Sequence, residues 1–296
     1  MSEPDTSVAI NPYLHHVAKG ASSAFAVLFF LSFLLHIYQS SKYKSWYYTM
    51  CLPMAAGLVV GGFICREISA FNGSDQVSAV EGLFYTATYV FTVPLYALIL
   101  HLDYHLPTYP PALVPRIHPP LYLLLISIFT SAIIACTAQG CATYFSPEGR
   151  SSGELTSGLR LVKASLFLQL FLNLLLIIIL KVWLIRLCIR RRRPAQQTSS
   201  PPHDVAKVVG LVFFLLGLIV LTNVFRTVQI YAQPTSRLWT TEGWFWGFMV
   251  AEWVLYSAAW HLMHPGRMMN QRGWGQCCHR SNRGGSGNEQ TPARKV

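Results

Sequence analysis

A few ionisable side chains lie inside long apolar stretches of this sequence, and they are the first candidates for chemistry. Glu252 begins the apolar run "EWVLYSAAWHLMHPG", and Tyr256 follows four residues later, on the same face of a helix. Arg226 and Glu81 lie in two other apolar runs. Because an ionisable side chain at the centre of a membrane helix costs about 2.5–3.5 kcal/mol, such residues are usually retained for function. The expected depths of Arg226 and Glu252 differ by only ~6 Å. We therefore expect an Arg226–Glu252 ion pair, as part of a ligand site or as a structural tie between two helices.

Histidines form a second set of candidates. The stretch "HLDYH" separates His101 and His105 by one helical turn, and "HLMH" separates His261 and His264 by three residues. Imidazoles at such spacings can share a metal ion, as they do in seven-helix zinc-dependent lipid hydrolases. Those hydrolases also need a Ser and a His on the second helix, and the second apolar segment here has no His. The four histidines are thus weak metal candidates, and we expect neither a metal nor another cofactor.

The composition shows which elements must position these residues. The chain has 296 residues, of which 52% are hydrophobic and 12% are charged, whereas soluble domains are about 25% charged. A helix needs about 20 apolar residues to span a bilayer. Seven such segments lie near 17–37, 46–65, 80–102, 119–145, 163–187, 206–231 and 243–262. The sequence therefore predicts an all-α, polytopic membrane protein with seven transmembrane helices.

The distribution of basic residues predicts the orientation of the helices. With seven spans, 5 basic residues fall on one side and 15 on the other, where they include the run Arg190–Arg193. Positive residues concentrate on the cytosolic side, so we expect the N-terminus outside and the C-terminus in the cytosol. The net charge of +11 is then explained by contact of the cytosolic arginine cluster with anionic lipid headgroups, and nucleic acid is not an expected partner.

The same topology divides the chain into three parts. Residues 1–16 form a short extracellular or lumenal tail, residues 17–266 the membrane domain, and residues 267–296 a basic, disordered cytosolic tail. The sequence "NGS" makes Asn72 a candidate glycosylation site on the outer side. The location is a plasma membrane or an endomembrane.

Several short motifs, in their order along the chain, resemble one known family. "GGFICR" is similar to a Gly-Tyr-x-x-Arg motif and ends at Arg66, and Gln139 precedes a glycine in the fourth segment. "NVFRTVQIYAQ" keeps an arginine of the sixth helix, and "AEWVLYSAAWHLMHPG" matches a Glu-x-x-x-Tyr motif followed by His-Pro-Gly. Over residues 17–266 the chain thus resembles the RTA-like (resistance to aminocholesterol) family. Members of that family are fungal seven-helix lipid-translocating exporters.

The resemblance implies a function and a set of site residues. It implies a protein that binds an amphipathic lipid or lipid-like toxic compound, or moves it across or within the membrane. The residues it implies for ligand binding are Arg66, Gln139, Arg226, Glu252 and Tyr256. Other polar positions of the family pattern are occupied by Val59, Ala132, Thr222, Gln229 and Ala259. Two alternatives stay open: an integral-membrane enzyme (a lipid hydrolase or a terpenoid cyclase), or a seven-helix sensor. The missing acids disfavour a cyclase, which needs a well-placed acid.

Overall fold

The structure is a computed structural model that describes residues 18–72, 76–105, 119–146, 151–191, 203–233 and 236–270. Every regular element in these ranges is helical. The predicted N-terminal tail and most of the predicted C-terminal tail lie outside the described residues, as do the side chains of Arg190–Arg193. Asn72 is the exposed last residue of its helix, and the rest of its "NGS" sequon also lies outside them.

The described chain begins with α1 (Ala21–Lys42), a short α2 (Trp46–Thr49) and α3 (Cys51–Asn72). The long helices α4 (Val77–His105), α5 (Pro119–Tyr144), α6 (Ser152–Arg191) and α7 (His203–Tyr231) follow. Six stretches in the described ranges are long and apolar enough to cross a membrane: Ala21–Lys42, Trp46–Asn72, Val77–His101, Leu124–Tyr144, Ser152–Val182 and Lys207–Tyr231. They overlap the first six predicted segments in order, so the all-helical, multi-pass membrane architecture is confirmed.

The region of the seventh predicted segment is helical but subdivided. It contains α8 (Arg237–Thr240), α9 (Glu242–Phe245), a π-helical segment (Trp246–Val250) and α10 (Ala251–Leu262), and α11 (Pro265–Asn270) follows. The hydroxyl of Thr222 on α7 donates a hydrogen bond to the carbonyl of Phe248 within the π-helical segment (3.0 Å). Single π-turns inside helices are frequent at functional sites.

Polar side chains show that α4 and α6 run parallel. Tyr89 pairs with Ser165, Gln169 pairs with Thr92, and Tyr96 pairs with Asn173. The partners advance together along both helices, which is possible only if the helices point the same way. Successive spans cross a membrane in alternate directions, so the third and fifth spans must point the same way. The helices α4 and α6 occupy these two positions and meet that requirement.

The exposed surface of the described helices is rich in large apolar side chains. Leu31, Leu125 and Phe171 are examples, as expected for surfaces that face lipid. The buried side chains are mostly apolar, but they include polar and charged ones. Where α3 meets α4, a Cβ at Gly62 would lie 2.3 Å from the ring of Phe84, so the helices approach this closely only with glycine there.

Candidate functional site

The interior contains a buried ion pair between α7 and α4. Nη1 of Arg226 lies 3.1 Å from Oε2 of Glu81, and both side chains are buried. The same nitrogen donates to Oε1 of Gln229 (2.9 Å), and the guanidinium lies 4.3 Å from the centre of the Tyr85 ring. The predicted Arg226–Glu252 pair is therefore wrong, because Glu81 supplies the carboxylate partner of Arg226.

Glu252 lies in a different environment, on the first turn of α10. Its side chain is only 4% exposed, and it lies close to Thr222 on α7, whose hydroxyl donates to the carbonyl of Phe248. Among the described residues it forms no ion pair, and its Oε2 atom accepts no hydrogen bond. Arg226 has its carboxylate partner on α4 instead, in Glu81.

A second ion pair joins α3 to the start of the seventh predicted segment. Nη2 of Arg66 donates to Oε1 of Glu242, and Nη1 donates to the hydroxyl of Ser22 on α1 (3.2 Å). The Arg66 guanidinium lies 4.4 Å from the Phe245 ring centre and 4.9 Å from that of Trp246. Arg66 is thus held by a carboxylate, a hydroxyl and two aromatic faces, which together hold three parts of the chain in contact.

Tyr256 is buried and joins α10 to α4. Its hydroxyl donates to the backbone carbonyl of Phe91 (2.5 Å), three residues before Pro94, which lies inside α4. The visible role of Tyr256 is this bond between the two helices.

Gln139 does not belong to this interior. It is exposed on α5, and its amide donates only to the hydroxyl of Thr143, one turn along the same helix (3.4 Å). Gln139 is thus exposed, whereas Arg66, Arg226, Glu252 and Tyr256 are buried. The helical period of α5 places Gln139 on its outward face.

The predicted histidines make separate contacts with neighbouring polar side chains, although His261 and His264 lie near each other. His101 contacts the hydroxyl of Tyr47 (2.5 Å). His261 is bonded at both ring nitrogens, by Ser32 (2.8 Å) and by Gln39 (3.0 Å). The side chain of His105 lies outside the described residues. Within the described ranges, no group of three His, Cys, Asp or Glu residues is placed to hold a metal ion.

The His-Pro-Gly motif packs the start of α11 against the residues that follow α1. Nδ1 of His264 accepts a hydrogen bond from the backbone N–H of Gly266 (3.1 Å). A Cβ at Gly266 would lie 2.9 Å from Cβ of Tyr43 and 3.0 Å from the hydroxyl of Tyr48. Only glycine fits, because the backbone of α11 lies directly against the loop after α1. Burial lowers the pKa of His264 to about 4, with a smaller contribution from His261.

Two acidic residues complete the site. The sequence identified Glu81 as an ionisable residue in a span but gave it no partner, and it did not identify Glu242. Charge balance could have predicted that these two acids are ion-pair partners. Arg66 and Arg226 both lie in apolar segments, and each requires a carboxylate there. His36 is buried on α1, and its ring centre lies 4.1 Å from that of His261.

Comparison with known proteins now decides the family. The family model described as RTA1 like protein matches residues 52–272, which include α3–α11 and both ion pairs. The chain belongs to the RTA1-like family. A curated relative, the lipid-translocating exporter-like protein RTA1 of Leptosphaeria maculans (strain JN3 / isolate v23.1.3 / race Av1-4-5-6-7-8), is 24% identical over 283 residues.

That alignment covers 88% of this chain and 52% of the relative, so the chain spans about half the length of the curated RTA1-like protein it matches. No solved structure matches the chain. The RTA1-like match covers Arg66, Arg226, Glu252 and Tyr256, so the interior described above lies within the part of the chain that defines the family.

Proposed function

We propose that this chain is a seven-helix membrane protein that binds an amphipathic lipid or lipid-like toxic compound and moves it across or within the membrane. The proposal is supported by membership of the RTA1-like family and by a relative described as lipid-translocating exporter-like. It is also supported by the apolar exposed surface, inside which charged side chains such as Arg226 and Glu81 are buried.

In this proposal, the stretch Glu242–Leu262 is the seventh span, with its π-helical segment inside the membrane. The N-terminus lies outside and the C-terminus in the cytosol, as the 15-to-5 distribution of basic residues indicates. Asn72 is then on the outer side, where glycosylation occurs, and the arginine cluster after α6 meets anionic headgroups. An antibody should reach a C-terminal tag only in permeabilised cells, and labelling of intact cells would contradict the orientation.

The observation that carries the proposal is the buried Glu252 carboxyl. A buried acid that served packing alone would be bonded on both oxygens or replaced by an apolar residue, because an unsatisfied buried polar group destabilises a fold. Here one oxygen is without a partner among the described residues, next to a π-turn. Tyr256 lies four residues later on α10, on the same face of the helix. We assign Glu252 the contact with ligand.

The test compares cells that lack the protein with cells that overproduce it, by lipid analysis and by tolerance to lipophilic toxic compounds. Overproduction of the wild-type chain should raise export of at least one lipid class and raise tolerance, and Glu252→Gln should abolish both at equal protein level. Glu154→Gln is the matched control, because Glu154 is an exposed acid at the start of α6. Unchanged lipid distribution and tolerance in all strains would contradict the proposal.

A further inference from the structure

The buried carboxyl of Glu252 and the π-helical segment beside it have one hydrogen-bond donor between them. Glu252 lies two residues after Val250, the last residue of that segment. It lies close to Thr222 on α7, and the Thr222 hydroxyl donates to the carbonyl of Phe248 within the segment (3.0 Å). A threonine hydroxyl carries a single hydrogen, and in this structure the Phe248 carbonyl accepts it.

The placement of that hydrogen indicates which form of Glu252 fits the structure. Thr222 has acceptor lone pairs left for Glu252 but no second hydrogen, and two acceptors do not bond to each other. Oε2 of Glu252 has no hydrogen-bond partner among the described residues. An ionised carboxylate, which only accepts, would be buried there at a cost that a neutral carboxylic acid avoids. The structure therefore fits the protonated acid, whose own O–H can donate to Thr222.

The surroundings of Glu252 supply no opposite charge. Among the described residues it forms no ion pair, and Arg226, one turn after Thr222 on α7, is paired with Glu81. The π-helical segment, "WGFMV", contains no titratable residue. The titratable groups that face α10 from its own chain and from neighbouring helices are two phenols, a thiol and an imidazole: Tyr256 of α10, Tyr96 of α4, Cys51 of α3 and His36 of α1.

From this geometry we propose that Glu252 is a proton-binding site, and that export of the lipid is coupled to entry of a proton at this carboxyl. The inference rests on the proposed function and adds the source of its driving force. On the cytosolic side, water takes the proton from the Glu252 O–H, and the carboxylate that remains is the ligand contact. On the outer side, a proton from water restores the O–H as the lipid leaves. Proton and lipid thus exclude each other at one carboxyl.

The Thr222 hydrogen connects the proton to the shape of the last predicted segment. Loss of the proton makes Glu252 a charged acceptor, which forms a stronger hydrogen bond than a carbonyl does and therefore draws the Thr222 hydrogen. The Phe248 carbonyl then loses its donor, and the π-helical segment must rearrange to satisfy it. The segment and α10 are consequently arranged differently with and without the proton, as exchange between the two sides of a membrane requires.

Infrared spectroscopy of the full-length chain in phosphatidylcholine vesicles tests the protonation of Glu252. Protonated carboxyl groups absorb separately from carboxylates, and Glu81 and Glu242 are held as carboxylates by their ion pairs. At neutral pH we expect a protonated-carboxyl band that is lost in Glu252→Gln. Glu154→Gln, at an exposed acid, should leave the band unchanged. A wild-type spectrum without the band, or a band unchanged in Glu252→Gln, would overturn the inference.

Lipid distribution in the same vesicles tests the coupling. Buffers impose an about tenfold difference in proton concentration, and valinomycin with equal potassium removes the membrane voltage. The probes are fluorescent derivatives of phosphatidylcholine, phosphatidylserine and an amine-bearing sterol, with an impermeant quencher to report their leaflet. One-for-one exchange enriches a transported lipid up to about tenfold on the acidic side, relative to protein-free vesicles and for either insertion of the chain. Glu252→Gln should abolish the enrichment, and Glu154→Gln should retain it.

The remaining outcomes separate this inference from the proposed function. Lipid movement that equalises the leaflets and ignores the pH difference would retain the proposed function and overturn proton coupling. A trapped pH dye follows decay of the pH difference. Decay that requires Glu252 but moves none of the lipids would retain the proton site and overturn both its coupling to lipid and the proposed function. Absence of lipid movement and of proton movement would overturn both proposals.

Discussion

Replacement of Glu81 by Gln should strand the Arg226 guanidinium in the interior. The two groups are 3.1 Å apart and both are buried, and loss of one partner from a buried ion pair costs about 3–5 kcal/mol. Arg226 keeps its bond to Gln229 and its contact with the Tyr85 ring, so we expect the lower end, a loss of about 3 kcal/mol in the free energy of unfolding. Glu81→Gln with Arg226→Gln should recover most of the loss, because no lone charge then remains.

The matched control is Glu252→Gln. It removes a carboxylate from the same interior, but it strands no cation, because Glu252 is in no ion pair among the described residues. We expect its unfolding free energy to change by less than about 1 kcal/mol. The assay is reversible unfolding of the purified variants in mixed micelles by titration with a denaturing detergent, followed by circular dichroism. A Glu252→Gln loss as large as that of Glu81→Gln, relieved by Arg226→Gln, would refute the assignment of Glu81 as the partner.

Three further effects can be checked by the same unfolding assay. Gly266→Ala should lower the free energy of unfolding by about 1–3 kcal/mol, because the added Cβ would meet Tyr43 and Tyr48. The control Gly210→Ala, whose Cβ would have nothing within 4 Å, should be neutral or slightly stabilising. Equal effects of the two changes would contradict the close approach at Gly266. Tyr256→Phe should lower the free energy of unfolding by about 1–2 kcal/mol, because the hydrogen bond to Phe91 is lost. The control Tyr231→Phe, at an exposed ring, should leave it almost unchanged. A Tyr256→Phe variant as stable as the wild type would contradict that bond. The pKa of His264 is lowered to about 4 by burial, so its contribution to stability is complete above pH ~6.5 and is lost as pH falls toward 4; His264→Gln should flatten the stability profile in that window, and an unchanged slope would contradict burial of a neutral imidazole.

The sequence predicted the helical spans well because their signal is local. A run of about 20 apolar residues is visible without any tertiary information, and six of the seven predicted segments correspond to described helices of sufficient length. The subdivision of the last segment by a π-turn was not predicted, because apolar composition carries no signal for it; within that turn the Phe248 carbonyl accepts a hydrogen bond from Thr222 on α7.

The candidate site was predicted only in part, for a geometric reason. The charged residues in apolar segments were visible, but their pairing depends on which helices are neighbours and on their relative depth. Arg226 pairs with Glu81 on α4 rather than with Glu252 on α10. Gln139 illustrates the same limit: its residue type matched the family motif, but the rotation of α5 leaves it exposed. Arg66 was identified by its motif, while its partner Glu242 lies 176 residues away along the chain.

Transbilayer lipid movement by the purified chain is the most direct test of the central claim. Fluorescently labelled lipids in proteoliposomes are exposed to a membrane-impermeant quencher, which bleaches only those in the outer leaflet. We predict that, for at least one lipid, vesicles with the wild-type chain lose more than the outer-leaflet fraction, and that vesicles with Glu252→Gln do not. If wild-type vesicles retain the same protected fraction as protein-free vesicles for every lipid tested, the chain does not move lipids by itself and the account is contradicted.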